Sequence, residues 1–546
     1  LPAGLGVVPL PTSVDVGTGE VLLGPQGGLV IFLGETVTPG VADWFATWAH
    51  TLYGITVHIA TAPDTGSIGL SAGPFDRPDL PSTAGIDPRP KPEAQQETDE
   101  RYRLTAHGTN VTITAPTAEG IFRALTTLLQ LITTTGGVVS VPDIEIHDSP
   151  AYIWRGLSLD VARHFFTVHE IEQTIDLLAF YKCSVLHLHL TDSEGWRLES
   201  KVRPLLTADK TEFYSQDEFR HLCQYAADRF VTIVPEIDLP GHSRSAIEAY
   251  PALQGPHEAA HLMPYLDPDV DEVLAFTHDV LTELATLAPG PFVHIGCDEP
   301  FGMPVEPYAR FVGFAHDIVR QSGKRVVAWQ EVTRYGHLTP DDVMQYWIGP
   351  DNRFDVEEIK PFVDVEMHPM IEEAAKLFEI APEDVPIATA NGVPVLLSSN
   401  SMLYLDRGYA DKGKDQHQAE LRKRLGLRAY QRRSLEQMFN WHVTDLPEIA
   451  DNKATVAGVE AAMWGETLTS FEDLGFLLLP RLAGVAEKAW THNRTTWADY
   501  LTRVNTHRPI WPTFGFTTAF DPADPADPAD PPRSHPRLRL GNDVCN

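Results

Sequence analysis

Asp298 and Glu299 close the segment Phe292-Val293-His294-Ile295-Gly296-Cys297-Asp298-Glu299, a short β-type run leading straight into two adjacent carboxylates. Glycoside cleavage needs an acid to protonate the leaving oxygen and a second group to stabilise the oxocarbenium-like centre. Two acids at the end of a buried strand can supply both. In isolation an Asp-Glu pair is better explained as a solvated loop. Seven other apolar runs ending in polar, acidic or aromatic residues change that balance.

Those runs are Gly156–Asp160, Ser184–Asp192, Thr232–Asp238, Arg325–Glu331, Asp342–Trp347, Val393–Ser399 and Gly458–Glu466. Near-continuous apolar runs of this length read as strands buried on both faces. Helical patterns separate several of them; over Val168–Tyr181, Ile171, Ile175, Leu177 and Leu178 form one apolar stripe. Eight strands alternating with helices predict an α/β fold, a (β/α)8 barrel whose chemistry sits at the C-terminal strand ends. The acids and tryptophans fall there.

Five ordered segments resemble glycoside hydrolase family 20, the β-N-acetylhexosaminidases. They are Trp154–Phe166, His187–Arg197, Val234–His242, His294–Glu299 and Gly458–Thr467. The resemblance spans about residues 100–492. The chain departs from the family pattern at Asp192-Ser193-Glu194, where Asp-Asp-Gln is usual, and at Cys297, where glycine is usual.

The resemblance implies substrate-assisted catalysis, for which family 20 is an exception to the two-carboxylate scheme. Glu299 is then the general acid and later the base for water. Asp298 orients the 2-acetamido group and stabilises its developing charge, and Tyr404 donates to the acetamido oxygen. Trp329, Trp347 and Trp464, each at a strand end, wall the sugar. Arg155 is expected to bind sugar hydroxyls 3 and 4, and Asp406 and Glu466 hydroxyls 4 and 6. Asp192 and His242 form a supporting pair. His187, His189, Asp160, His294 and Glu236 are expected in a buried polar network. Single tryptophans at barrel mouths are often only packing, and Tyr404 is equally well a half-buried aromatic.

The predicted activity is exo-hydrolysis of terminal β-linked N-acetylglucosamine, with N-acetylgalactosamine as a second candidate, from oligosaccharides such as chitin fragments. No metal or cofactor is expected. Three alternatives stay open: a retaining glycosidase with Glu331 or Glu466 as nucleophile, a metal-dependent barrel hydrolase using His187 and His189, and an inactive sugar-binding barrel.

Composition fits such an enzyme. The chain has 546 residues, 43% of them hydrophobic, and a formal net charge of −33. That surface disfavours nucleic acid and anionic membranes as partners and leaves a small oligosaccharide or glycan as the expected ligand. The sequence assigns no oligomeric state. Four cysteines without a Cys-x-x-Cys spacing do not make a disulfide or metal framework. The first residue is Leu1, not Met, so a removed leader and a truncated segment both stay open; secretion is slightly favoured over a cytoplasmic location.

Three regions follow. Residues 1–148 read as an α+β domain, with a hairpin about His107–Asn110, a helix capped by Thr117 and a long loop over 63–97. Residues 149–515 carry the barrel, including a long segment 349–391 to which the sequence assigns no role. Residues 516–546, with repeated Asp-Pro-Ala, read as an extended, unpacked tail.

Overall fold

The computed structural model describes residues 5–24, 28–34, 37, 39–60, 62, 65–73, 75, 80–90, 99–255, 264–350, 356–362, 365–428 and 430–523. The N-terminal unit runs β1 (Ser13–Leu23), β2 (Gly28–Leu33), α1 (Pro39–Tyr53), β3 (Thr56–Ala60), β4 (Ser67–Ala72), β5 (Tyr102–His107), β6 (Asn110–Ala115), α2 (Ala118–Leu131), β7 (Thr133–Thr135) and β8 (Val138–Asp148). The strands form one mixed sheet in the order β1-β8-β5-β6-β4-β2-β3, with β7 added beside β8.

Alternating burial along β5 and β6 matches the period of a one-faced sheet, and the hairpin pairs His107 with Asn110. Thr117 caps α2 by accepting from the Gly120 N–H. The loop expected over 63–97 contains β4, which pairs in parallel with β2 and β6. Burial of Ile68 and Leu70 overrides the weak strand signal of its Gly and Ser neighbours. Residues 63–64, 74, 76–79 and 91–97 of that expected loop lie outside the described residues.

The barrel strands are β9 (Trp154–Asp160), β10 (Val185–His189), β11 (Thr232–Glu236), β12 (Phe292–His294), β13 (Arg325–Trp329), β14 (Val343–Tyr346), β15 (Val395–Leu397) and β16 (Val456–Met463). All pair in parallel, and β16 closes on β9. All eight expected strands are present, most ending a few residues short of the expected polar termini. Helix α3 (Val168–Phe180) carries a capping box between Thr167 and Glu170 and buries Ile171, Ile175, Leu177 and Leu178.

The unpacked tail does not begin at residue 516. Phe516 and Phe520 are buried, and Phe520 stacks on Tyr409 with centroids 3.8 Å apart. Burying these two rings holds the chain against the barrel to residue 523. The Asp-Pro-Ala repeat beyond it lies outside the described residues. Among the described residues no helix is long and apolar enough to cross a membrane.

Candidate active site

Strand β12 stops at His294, and the chain then turns sharply. Gly296, Cys297 and Glu299 have φ of 66°, 77° and 47°. Residues bearing a Cβ avoid that region. Gly296 has no substitute, since a Cβ there would lie 1.8 Å from Asp238 Oδ1. The turn is held from outside: the Cys297 N–H donates to Asp238 Oδ1 at 3.0 Å, and the Tyr308 hydroxyl donates to the Cys297 carbonyl. In a straight strand Asp298 and Glu299 would face opposite ways. Here both approach His242 Nε2, at 3.8 Å and 3.6 Å.

The charges around this pair are ordered. His242 Nδ1 meets Asp192 Oδ1 at 3.1 Å. Asp192 Oδ2 also receives His189 Nε2 at 3.0 Å and Arg163 at 2.7 Å. Burial favours neutral Asp192, but Arg163 and His242 hold its carboxyl well below the usual range. Burial likewise opposes a charge on His242, yet Asp192 and Asp298 outweigh it and keep the ring protonated. Burial pushes Asp298 up to about 6, with His242 opposing and Glu299 adding. Asp238, buried beside Asp298, is pushed well above the carboxylate range and retains its proton. One oxygen, Asp298 Oδ1, is buried with no hydrogen-bond partner.

A buried layer supports these groups. Glu236 accepts from His187 Nε2 at 3.1 Å and Trp329 Nε1 at 2.9 Å, and lies 3.0 Å from His294 Nδ1. His189 Nδ1 also meets Glu236, while His187 Nδ1 meets Glu460 at 2.9 Å. The expected network of His187, His189, His294 and Glu236 therefore exists. Donor atoms of His187, Glu236 and His294 lie within 4.8 Å of one another, as a metal site requires. Imidazole binds metals in its neutral form. Although burial opposes it, Glu236 and Glu460 raise His187 to about 9, so this ring carries the positive charge itself.

Three tryptophans and a tyrosine build a wall. Trp347 and Tyr404 stack with planes 8° apart and centroids at 6.4 Å. Tyr404 meets Trp464 edge-on at 5.8 Å, and Trp464 lies 5.8 Å from Trp329. Tyr404 is set there by a bridge to Ala462 on β16. Behind the wall, Phe378 meets Trp347 edge-on at 5.9 Å. It comes from the helix His368–Ile380 within the segment 349–391, which thereby buttresses the pocket.

Arg155 is not at this site. It begins β9, at the opposite end of the barrel, where it donates to Glu100 at 2.6 Å and to the carbonyls of Lys182 and Tyr152. Burial opposes the guanidinium's charge there, and Glu100 from the N-terminal domain together with the carbonyls of Lys182, Tyr152 and Ile153 offsets it. Arg163, three residues past the end of β9, is the arginine of the site. It pairs with Asp160, Asp192 and Glu194 and lies over the Trp464 ring at 5.6 Å. Its position at the C-terminal strand end was the available signal.

Asp406 is buried with both carboxylate oxygens unpartnered. Burial, and then Glu466, push its carboxyl well above the usual range. Glu466 lies near Arg163 and is open to solvent. Tyr430, which the sequence did not single out, stands edge-on to Tyr404 at 5.9 Å, with Asp406, Glu299 and Glu466 around its hydroxyl. The arrangement thus offers a proton-transfer acid, a buried orienting carboxylate, flat aromatic faces and unpaired acids for hydroxyls.

Residues 152–360 and 377–493 match the family described as glycosyl hydrolase family 20, catalytic domain, and residues 4–149 match its domain 2. The chain is 38% identical over 438 residues to a beta-N-acetylhexosaminidase of Cellulomonas fimi, covering 77% of this chain and 80% of that one. The structure is similar to the GH20 beta-N-acetylhexosaminidase of Streptomyces coelicolor A3(2), with a TM-score of 0.77, 28% identity, and 96% and 99% of the two chains covered. It is also similar to a mutant Streptomyces plicatus beta-hexosaminidase in complex with product GlcNAc, with a TM-score of 0.76, 28% identity, and 96% and 98% covered. A barrel whose strand ends gather an acid pair, an aromatic box and unpaired carboxylates, joined to these matches along most of its length, belongs to glycosyl hydrolase family 20 and is a β-N-acetylhexosaminidase.

Proposed function

We propose that the enzyme removes terminal, non-reducing β-linked N-acetylglucosamine from oligosaccharides, with N-acetylgalactosamine as a second substrate, by substrate-assisted catalysis with retention. The observation that carries this reading is the buried, unpartnered Asp298 Oδ1 beside the half-open Glu299. An acetamido N–H is the donor such an oxygen lacks. Asp298 as carboxylate then orients the acetamido group and supports its nitrogen as positive charge develops, while the acetamido oxygen attacks the anomeric carbon. Glu299 protonates the leaving oxygen and afterwards takes a proton from water. The protonated His242, held by Asp192, stabilises Asp298 as an anion.

Tyr404 is suited to donate to the acetamido oxygen, and the box of Trp329, Trp347 and Trp464 to enclose the acetamido methyl and the sugar face. Asp406, Glu466 and Arg163 are suited to sugar hydroxyls. A neutral sugar offers hydroxyl donors to these acids without adding charge to an already acidic pocket. The product complex of the Streptomyces plicatus relative supports a saccharide ligand.

A series of 2-N-fluoroacetyl substrates tests the mechanism. Each fluorine weakens the attacking oxygen, so kcat/KM should fall steadily along the series. A flat series with chemistry rate-limiting, or a fluorosugar trapped covalently on Glu466, would mean that the enzyme supplies its own nucleophile.

A further inference from the structure

Glu331 has no part in the mechanism above, yet it is built into the site. It is the second residue of the turn Gln330–Tyr335, which follows β13 directly, and is 2% exposed. Its Oε2 accepts from Trp347 Nε1 at 3.1 Å, and its Oε1 is buried with no partner. Its neighbour Gln330 grips the same tryptophan from the backbone side, accepting from the N–H groups of Trp347 and Ile348 at 2.9 Å and 2.8 Å. Asp384, at the end of the segment 349–391, clamps the turn by accepting from Gln330 at 2.8 Å and from Arg334 twice at 2.6 Å. Two consecutive side chains thus hold one wall tryptophan, which stacks on Tyr404.

The groups facing Glu331 decide its charge. Asp298 and Cys297 come from the turn after β12, Tyr308 from the helix Val305–Gln321, and Arg334 and Tyr335 from its own turn. The Cys297 thiol and Tyr308 phenol are pushed up by burial and stay neutral. Arg334 gives two donors to Asp384, which matches its charge. Asp298 remains as the anionic neighbour. A buried carboxylate with an indole and its own backbone N–H as donors, and an anion nearby, is less stable than the neutral acid.

We propose that Glu331 is a positioning residue that works as a neutral carboxylic acid: it holds the Trp347 indole in the wall and, by staying uncharged, leaves Asp298 the ionised member of the pair. This rests on the substrate-assisted reading above. Burial, with the Asp298 charge adding, pushes Glu331 up to about 8, in agreement. A neutral acid is also a poor nucleophile, which fits the absence of a role for Glu331 in bond-making.

The test is the pH dependence of kcat/KM on a chromogenic N-acetylglucosaminide for wild type, Glu331→Gln and Glu331→Leu. Glutamine is neutral at every pH and retains an acceptor, so Glu331→Gln should keep kcat/KM within about threefold and leave the acid limb unmoved. Leucine removes the acceptor, and a loosened wall should cost on the order of 10- to 10²-fold, with the acid limb again in place. An anion beside Asp298 raises its pKa. A charged Glu331 would therefore show itself as an acid limb that falls by a pH unit or more in Glu331→Gln, and this would overturn the proposal. So would a Glu331→Leu enzyme as active as wild type. A collapse of Glu331→Gln that azide restores, with release of an α-glycosyl azide, would make Glu331 the nucleophile and overturn the substrate-assisted reading as well.

Discussion

The two ends of the barrel handle buried charge in opposite ways. At the N-terminal end Glu100 takes Arg155 at 2.6 Å and Arg123 at 2.9 Å, and Lys182 meets Asp148 at 3.1 Å. These groups lock the N-terminal domain to the barrel, and each finds its partner within the protein. At the C-terminal end Asp298 Oδ1 and both oxygens of Asp406 are buried and unpartnered. Unsatisfied buried polar groups are costly, and a cluster of unpartnered carboxylate oxygens beside an aromatic wall is where a ligand's donors would complete them. Arg155 and Arg163 sit at opposite ends of the same strand, β9, and show the difference in one residue type. Both are paired within the protein, but the first meets Glu100 and backbone carbonyls at the domain junction, whereas the second, paired with Asp160, Asp192 and Glu194, lies beside Trp464 at the end that holds the unpartnered carboxylates. What separates a binding end from a structural end is incomplete pairing, not the presence of charge.

The largest effect expected at the open end is that of Glu299→Gln. It should cost roughly 10²–10⁴ in kcat on a substrate with a poor leaving group, since that is the worth of general acid–base catalysis. The loss should shrink with a dinitrophenyl leaving group, which needs less protonation. Equal losses on both substrates would remove Glu299 from the role.

Trp464→Ala should lower kcat/KM by about 10², because an open wall lets the acetamido group shift by about an ångström. Wild-type kinetics in this variant would reassign the ring to packing of the barrel mouth.

Exchanging the two arginines probes the comparison most directly. Arg163→Ala should reduce kcat/KM by about 10–10²-fold, from hydrogen bonds to charged groups worth about 1.5–3 kcal/mol. Arg155→Ala should leave kcat/KM of the folded enzyme near wild type and cost about 3–5 kcal/mol of stability, because it breaks a buried ion pair. Denaturant melts beside kinetics separate the two, and a reversed pattern would overturn the assignment of the two ends.

The smallest effect is a difference in titration. Asp298 works as a carboxylate and is pushed up to about 6, so kcat/KM should fall as the pH drops through 6. Glu100 moves the other way. Burial opposes its charge, but Arg155, Arg123 and Arg89 lower it to about 2. Its folded pKa is thus below its unfolded value, and the stability it adds is present above the usual carboxylate range and lost as pH falls toward 2. Activity lost at pH 5 should return in full at pH 7, with an unchanged circular dichroism spectrum throughout. Unfolding that tracks the loss of activity would show that the two ends are not independent.

The sequence by itself determined the barrel and the acid pair. Strands buried on both faces must be apolar along their length, so eight short runs with polar ends were legible one by one. Asp298, Glu299 and the three tryptophans sit at or just beyond those ends and were legible with them, whereas the Asp192–His242 pair was read from the family resemblance. Arg155 was misplaced because the family resemblance was carried onto the arginine at the start of the first strand, whereas the fold brings Arg163, past the end of that strand, beside Asp192 and Trp464. Tyr430 lies in an irregular segment without period, and β4 is held by its neighbours more than by its own residues. Only the tertiary structure decided the rest. The turn at 296–299 depends on Asp238 and Tyr308, distant in the chain, which stabilise dihedrals that local preference disfavours. Which buried oxygens find partners is likewise a property of three-dimensional packing, and it leaves Asp298 Oδ1 and the Asp406 carboxylate unpartnered beside the aromatic wall.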